Sequence, residues 1–354
     1  MKVLIVRVGA MGDVLHALPA VTALRRARPD WEIDWVVDPR WAPLLVDGSG
    51  SGPVVRRAHL AETKLWSRAP VSIATLRSIG ELRKELRAAK YDVAVDMQGT
   101  LRSAVLGGFA RAARFVGYRD PRETLAARLY KTKAPRQGLH VVEQSAALLA
   151  EATGVALAPA FVEFPREESA ENWAVEEVVA RPICVLAAGA GWGAKQWPVE
   201  RFGELAKVLR ARGFDVVVNA ARKDEAIPLR VVAASEDAAR MVVCNVSGLV
   251  ALMRRTDLLI GGDTGPTHLA AMMGVPVVGL YGPTNPARNG PWGPGACRVL
   301  RHGSSVTSHK KVQEIDRGLG RVEVAEVVEA VQEVGGGSRV QGPGPRVQGS
   351  ESRD

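Results

Sequence analysis

Short apolar runs alternating with amphipathic stretches recur along most of the chain, and this alternation limits the fold more than any other feature. In the first half, Lys2–Val8, Glu32–Val37, Tyr91–Asp96 and Ala113–Gly117 have the length and composition of buried strands. Helical periodicity predicts helices over Val14–Arg28, Ile73–Ala89, Leu101–Ala112, Arg122–Tyr130 and Val141–Thr153. Pro19 has no amide donor, so it is expected to kink or restart the first of these. The series then begins again. Strands are predicted at Pro182–Ala187, Asp215–Asn219, Met241–Val243, Leu258–Gly261 and Val275–Tyr281, and helices at Val199–Arg212, Ala226–Ala234, Gly248–Arg254, Thr267–Met273 and Val322–Val334. Strand–helix alternation produces parallel strands with crossover helices, so two such series predict an α/β protein with two doubly wound parallel sheets. Pro159 and Pro165 interrupt the pattern, which sets the expected domains at 1–160 and 161–334. Residues 335–354 are rich in Gly, Pro and Ser without apolar period and are expected to be a disordered tail. Parallel sheets bind ligands at the carboxyl ends of their strands, so two facing sheets would enclose a cleft.

Charge narrows the partners. The chain carries a net charge of +9 over 354 residues. Between Arg56 and Arg136, 18 basic side chains stand against 7 acidic ones, an excess of +11 in that segment alone. Such a field suits a polyanionic ligand, an anionic lipid or a phosphorylated substrate, or else a solvated face of arginine-rich helices. Nucleic acid fits less well, because the segment offers few aromatic rings for base stacking. Cys184, Cys244 and Cys297 are scattered and odd in number, with no CxxC or Cys/His cluster, so they read as buried free thiols. No apolar run approaches the roughly 18 residues of a membrane span. Met1-Lys2 leads straight into a strand. The expected location is cytosolic or peripheral to a membrane.

Three stretches carry chemistry. In "VGAMGDVLH", Gly9 and Gly12 match part of a dinucleotide fingerprint, but Arg7 occupies the first glycine position. Asp38, at the end of the second strand, would then be the ribose-binding acid of a nicotinamide-dependent oxidoreductase. Asp13 argues against that reading. At ~4 Å a carboxylate and a phosphate repel by about 4 kcal/mol at an effective dielectric near 20. A helix N-terminus favours negative charge, so Asp13 is either a base facing a hydroxyl or an N-cap. In "GGDTGPTHLAAMMG", a strand gives way to a turn at Asp263-Thr264-Gly265 and a helix whose amides suit a diphosphate, with His268 on the same turn. Asp263 is equally a turn-forming residue, and His268 a packed helix histidine. In "AAGAGWGAKQWP", four small residues including Gly191 precede Trp192, and Lys195 is a point charge for phosphate, while Trp192 and Trp197 read as packing or ligand contacts. No DxD motif is present, so neither a metal nor another cofactor is expected to hold the diphosphate.

"MKVLIVRVGAMGDVLHALPAVTALRRARP", "YDVAVDMQGTLRSA" and "GGDTGPTHLAAMMGVPVVGLYGPTNP" together resemble the ADP-heptose:lipopolysaccharide heptosyltransferases, in order from Met1 to about Pro294. The resemblance implies a GT-B fold, two Rossmann-like domains facing a cleft. It implies inverting, metal-independent transfer of a heptose from ADP-heptose to an anionic Kdo-lipid A acceptor, at the cytoplasmic face of the inner membrane and with no nucleic acid involved. By position, Asp13 matches the general base. Lys195, Asp263, Thr264, Gly265 and His268 match the donor site, Gly191 is a donor candidate through backbone amides in place of hydroxyls, and Glu225 is a candidate for the ribose. Gly12, Arg57, Lys64, Gln98 and Arg122 are the candidates for the acceptor, Gln98 with a cleft-structuring role first. Two departures stand out. Ala190-Gly191-Trp192-Gly193 replaces hydroxyl residues before the phosphate lysine, and the acceptor's basic cluster is thinned to Arg56, Arg57, Lys64 and Arg68. The rival readings are a GT-B enzyme using another nucleotide sugar, the oxidoreductase, and a non-catalytic binder of anionic polymers.

Overall fold

The computed structural model describes residues 1–178, 182–308 and 312–335. The first half runs β1 (Lys2–Val6), α1 (Met11–Ala27), β2 (Glu32–Val37), β3 (Arg57–Leu60), α2 (Thr63–Arg68), α3 (Ile73–Ala88), β4 (Val93–Asp96), α4 (Leu101–Phe109), β5 (Arg114–Tyr118), β6 (Thr132–Ala134) and α5 (Val141–Thr153). The second runs α6 (Glu168–Glu177), β7 (Ile183–Ala187), α7 (Val199–Ala211), β8 (Asp215–Ala220), α8 (Ala226–Ala234), β9 (Ala239–Val243), α9 (Val246–Arg255), β10 (Leu258–Gly262), α10 (Gly265–Met272), β11 (Val277–Leu280), α11 (Pro286–Asn289), β12 (Cys297–Leu300) and α12 (Val324–Glu333). Among the described residues these form two six-stranded sheets, ordered β3-β2-β1-β4-β5-β6 and β12-β11-β10-β7-β8-β9. Every strand pair is parallel. These are the two doubly wound parallel sheets that the two βα series predict, in the GT-B arrangement that the resemblance implies.

Each sheet is covered on both faces, as a parallel sheet must be. In the first, Val3 and Ile5 point to the layer of α1 and α5, while Leu4, Val6 and Ala94 point to the layer of α2, α3 and α4. In the second, Leu186, Val218 and Ile260 pack under α7 and α12. The opposite face of that sheet meets α9 and α10, whose apolar side chains continue into the core around α1. The two halves thus share one packed layer between their sheets. α1 belongs to both, and the sequence shows why: it is apolar nearly all round, with Val14 through Leu24 buried without a break. Leu15, Leu18 and Leu24 are fully buried, and each contributes about 1.5–3 kcal/mol of burial free energy.

Several local expectations fail for identifiable reasons. The helix does not restart at Pro19; α1 is continuous through it, held on all sides by packing. The Pro19 carbonyl instead accepts the Ala160 amide at 3.0 Å. The edge strands β3, β6 and β12 escape sequence reading because each has only three or four residues and carries a charge, as in "RAHL" and "TKA". The helix expected at Arg122–Tyr130 is a short 3-10 turn, Thr124–Arg128. Cys184 is buried but Cys297, on the edge strand β12, is exposed. The tail expected at 335–354 lies, beyond Gly335, outside the described residues.

The halves approach closely at the starts of α1 and α10. A Cβ on Gly265 would sit 2.3 Å from Met11 Sδ and 2.8 Å from its Cγ. A Cβ on Gly12 would sit 3.2 Å from His268 Cδ2. Gly265→Ala therefore forces the Met11 side chain, and with it the packing of the two helix starts, to shift. A destabilisation of about 1–3 kcal/mol, the usual cost of overpacking, is expected in denaturant titration.

Candidate active site

The site is built where the carboxyl ends of both sheets face one another across a cavity of about 1110 Å³. From the first half, β1 delivers Arg7 and the loop to α1. Ala10 is the N-cap of α1 and Asp13 is its third residue, so Asp13 does not cap the helix. Its carboxylate faces the cavity instead. Arg7 fixes it: Nη2 lies 2.9 Å from Asp13 Oδ1, and Nε donates to the Asp13 carbonyl at 3.1 Å. Asp13 Oδ2 has no hydrogen bond among the described residues.

Arg7 is in turn held by β4. Its Nη1 donates to the Met97 carbonyl. Beside it, Gln98 Oε1 accepts the Val8 amide at 2.8 Å. The β4 loop is pinned by Asp96, which accepts from the Gln98 and Gly99 amides, Ser103 Oγ and Tyr130 Oη at 2.8–3.1 Å. Burial pushes the Asp96 carboxyl up despite these bonds. Asp96 and Gln98 thus hold this loop in place, and Gln98 also lines the cavity. Arg7 was legible only as a missing glycine; its position one residue past a buried strand was the available signal.

From the second half, β10 ends at Gly262 and delivers Asp263 and the start of α10. Asp263 is nine-tenths buried yet charged. Burial alone would raise its pKa, but the His268 and Lys195 contacts outweigh burial and hold the carboxyl below the usual carboxylate range. His268 Nε2 lies 3.0 Å from Asp263 Oδ1. Lys195 Nζ pairs with Asp263 Oδ2 and lies 4.4 Å from the centre of the Trp192 ring. Trp197, by contrast, is a core residue whose Nε1 donates to the Val322 carbonyl. Thr264 is the N-cap of α10, with Oγ1 3.2 Å from Thr267 Oγ1. Gly191 lines the same wall. Glu225, the N-cap of α8, lines it too and makes no cap bond.

Between these walls lies a histidine cluster that sequence reading did not find. His16 of α1 is 4.4 Å from His268 and 5.7 Å from His140, centre to centre. His140 caps α5 and reaches the Gly290 carbonyl at 3.1 Å. Burial, then the neighbouring His268 and His140, hold the His16 pKa well below its ordinary value, and burial also lowers that of His140. A histidine kept neutral by the fold contributes stability that is complete above its unfolded pKa of about 6.5 and is lost as pH falls. The melting temperature should therefore drop between pH 7 and pH 5. His16→Leu should flatten that slope, and an unchanged slope would assign the loss to other groups.

Of the acceptor candidates, Gly12, Gln98 and Arg122 line the cavity. Arg57 does not. It lies at the amino end of β3, opposite the cleft, paired with Glu85 at 2.8 Å. Arg56 is likewise spent on Asp34 and Glu32. Their ion pairs, not a ligand, account for those charges. Lys64 is exposed on α2 outside the cavity wall. Arg136 was overlooked. It lines the cavity, stacks 4.0 Å from the Tyr118 ring centre and donates to Gln144 Oε1 at 3.1 Å. The oxidoreductase reading loses its geometry. Asp38 is buried and accepts two bonds from the Arg40 guanidinium at 2.8 and 3.0 Å, and Trp41 Nε1 crowds Gly9.

Known proteins resemble this chain in sequence and in fold. The profile of glycosyltransferase family 9 (heptosyltransferase) matches residues 79–317. The chain belongs to glycosyltransferase family 9. Lipopolysaccharide heptosyltransferase 1 of Pseudomonas aeruginosa is 33% identical to this family 9 enzyme over 308 residues, covering 83% of this chain and 82% of the relative. The Escherichia coli protein of the same name is 28% identical over 318 residues, covering 85% and 94%. Among solved structures, E. coli heptosyltransferase WaaC with ADP superposes with a TM-score of 0.76 at 24% identity, covering 94% of this chain and 99% of that one. A family 9 glycosyltransferase from Veillonella parvula gives 0.80 at 21% identity, covering 94% and 96%. The family 9 enzyme shares their fold.

Proposed function

We propose that this glycosyltransferase moves a heptose from ADP-heptose to the Kdo of a lipid-linked inner-core acceptor, with inversion and through its own side chains. The observation that carries the reading is the facing of Asp13, on one half, against Lys195, Asp263 and the α10 start, on the other, across one cavity. Heptosyltransferase 1 relatives and a superposable chain described as binding ADP support the donor and acceptor classes.

The chemistry then follows. Asp13 Oδ2 takes the proton of the acceptor hydroxyl, and Arg7 keeps the carboxylate aimed at the cavity. The hydroxyl oxygen attacks the anomeric carbon from the face opposite the diphosphate. The new carbon–oxygen bond forms as the bond to the β-phosphate breaks, and ADP leaves with the electron pair. Its growing charge is met by Lys195 Nζ, which exchanges Asp263 for phosphate, and by backbone amides at the α10 start. Glu225 accepts hydrogen bonds from the ribose hydroxyls. Gly12 lets the acceptor approach Asp13, and Arg122 and Arg136 pair with its carboxylate and phosphates. The enzyme works in the cytoplasm, at the inner face of the membrane that holds its acceptor.

The deciding experiment is a transfer assay with ADP-heptose and Kdo-lipid A read by mass spectrometry. A product heavier by one heptose is expected. A thermal-shift panel of ADP, UDP and GDP should favour ADP; preference for UDP would defeat the donor assignment.

A further inference from the structure

The outer layer of the first half carries an unusual surface. Of 16 large apolar side chains exposed among the described residues, nine fall between Leu60 and Leu129. The most exposed are Val71 at 85% and Ile73 at 80%, with Leu76, Leu65 and Leu125 above half. The same stretch lies inside the segment of +11 excess charge, and residues 63–80 hold Lys64, Arg68 and Arg77 without one acid.

Topology gathers these residues in one place. α2 follows β3, α4 follows β4 and the 3-10 turn at Thr124–Arg128 follows β5, so all three begin at the carboxyl edge of the sheet. α3 begins beside them and runs back to feed β4. The exposed apolar side chains sit in the first turns of these elements: Leu65 in α2, Ile73 and Leu76 in α3, Leu101 in α4 and Leu125 in the 3-10 turn. Their inner faces are packed through Trp66, Leu82 and Ala104, so the outward leucines are spare. Arg122, which lines the cavity, stands at the same edge.

We infer that this edge is a docking surface for an anionic lipid bilayer, with Leu65, Val71, Ile73 and Leu76 entering the interface and Lys64, Arg68 and Arg77 meeting lipid headgroups. Aliphatic side chains ringed by cations are the composition of interfacial membrane segments. A nucleic-acid surface would show aromatic rings instead. A docked enzyme would present the Arg122 end of its cavity to the bilayer plane, where a lipid-linked sugar is held. The assignment deepens the lipid-linked acceptor reading and rests on it for its purpose alone, because the surface is testable without donor or acceptor.

The test is co-sedimentation of the full chain with phosphatidylglycerol–phosphatidylethanolamine vesicles and with phosphatidylcholine vesicles. Partition into the anionic vesicles should exceed that into the neutral ones and fall with salt. The double variant Val71→Asp with Ile73→Asp should lose about tenfold or more in partition. It should keep the parent's melting temperature and its rate on a water-soluble Kdo acceptor. Equal partition into both vesicles, or unchanged partition of the double variant, would overturn the assignment. So would a concentration-dependent dimer, seen by light scattering, that the variant abolishes while vesicle binding persists. Vesicle binding without heptosyl transfer would instead sink the proposed reaction and leave the docking surface standing.

Discussion

Asp13→Asn should lower turnover by about 10²–10⁴, the range for loss of a positioned general base, while ADP still binds. The substitution is isosteric, and the Arg7 contact survives as a hydrogen bond to the amide oxygen, so the helix start keeps its place. What is lost is the acceptor for the proton, and only the chemical step uses it. Single-turnover rates with saturating substrates should therefore carry the whole effect, and ADP affinity by calorimetry should match the parent. Full turnover in Asp13→Asn would remove the base from the mechanism and leave Asp13 a partner of Arg7.

Lys195→Ala should behave differently. In the proposed reaction its ammonium meets the leaving diphosphate, and loss of one such donor costs about 10²–10³ in rate. The charge is present before and after bond breaking, so ADP affinity should fall as well, which separates it from Asp13→Asn. The variant also strips one partner from buried Asp263. In the parent, the Asp263 carboxyl is held below its ordinary value. It thus contributes stability that is present above about pH 4 and is lost as pH falls toward its lowered folded value. Without Lys195 only the His268 contact remains to offset burial. The variant should be less stable at neutral pH, and its stability should decline less between pH 4 and pH 2. Equal ADP affinity in the variant would show that Lys195 guards Asp263 and does not touch the donor.

How far the residues announce this site depends on whether the signal is local. The strand–glycine–acid start at Arg7–Asp13 and the turn at Asp263–Gly265 are legible because a buried strand, a tight turn and a helix start occupy consecutive residues. The doubly wound sheets are legible for the same reason. The histidine cluster is not, because His16, His140 and His268 meet only when three separate helix starts converge. Charge misled in the other direction. Arg56 and Arg57 belong to a basic segment, yet Arg56 pairs with Glu32 and Asp34, which lie outside it, and Arg57 pairs with Glu85 further along it; a count along the chain does not show which charges meet. Of the kink or restart expected at Pro19, the restart does not occur, because burial on every side outweighs one missing amide.

The abutment of Met11 on Gly265 has a mechanical consequence. It places a fulcrum within one turn of Asp13 on α1 and of Asp263 just before α10. Swinging of one half against the other would then move the outer lips of the gap by far more than the reacting atoms. Substrates can be admitted and released by such rocking while the span across which the bond is exchanged stays nearly constant.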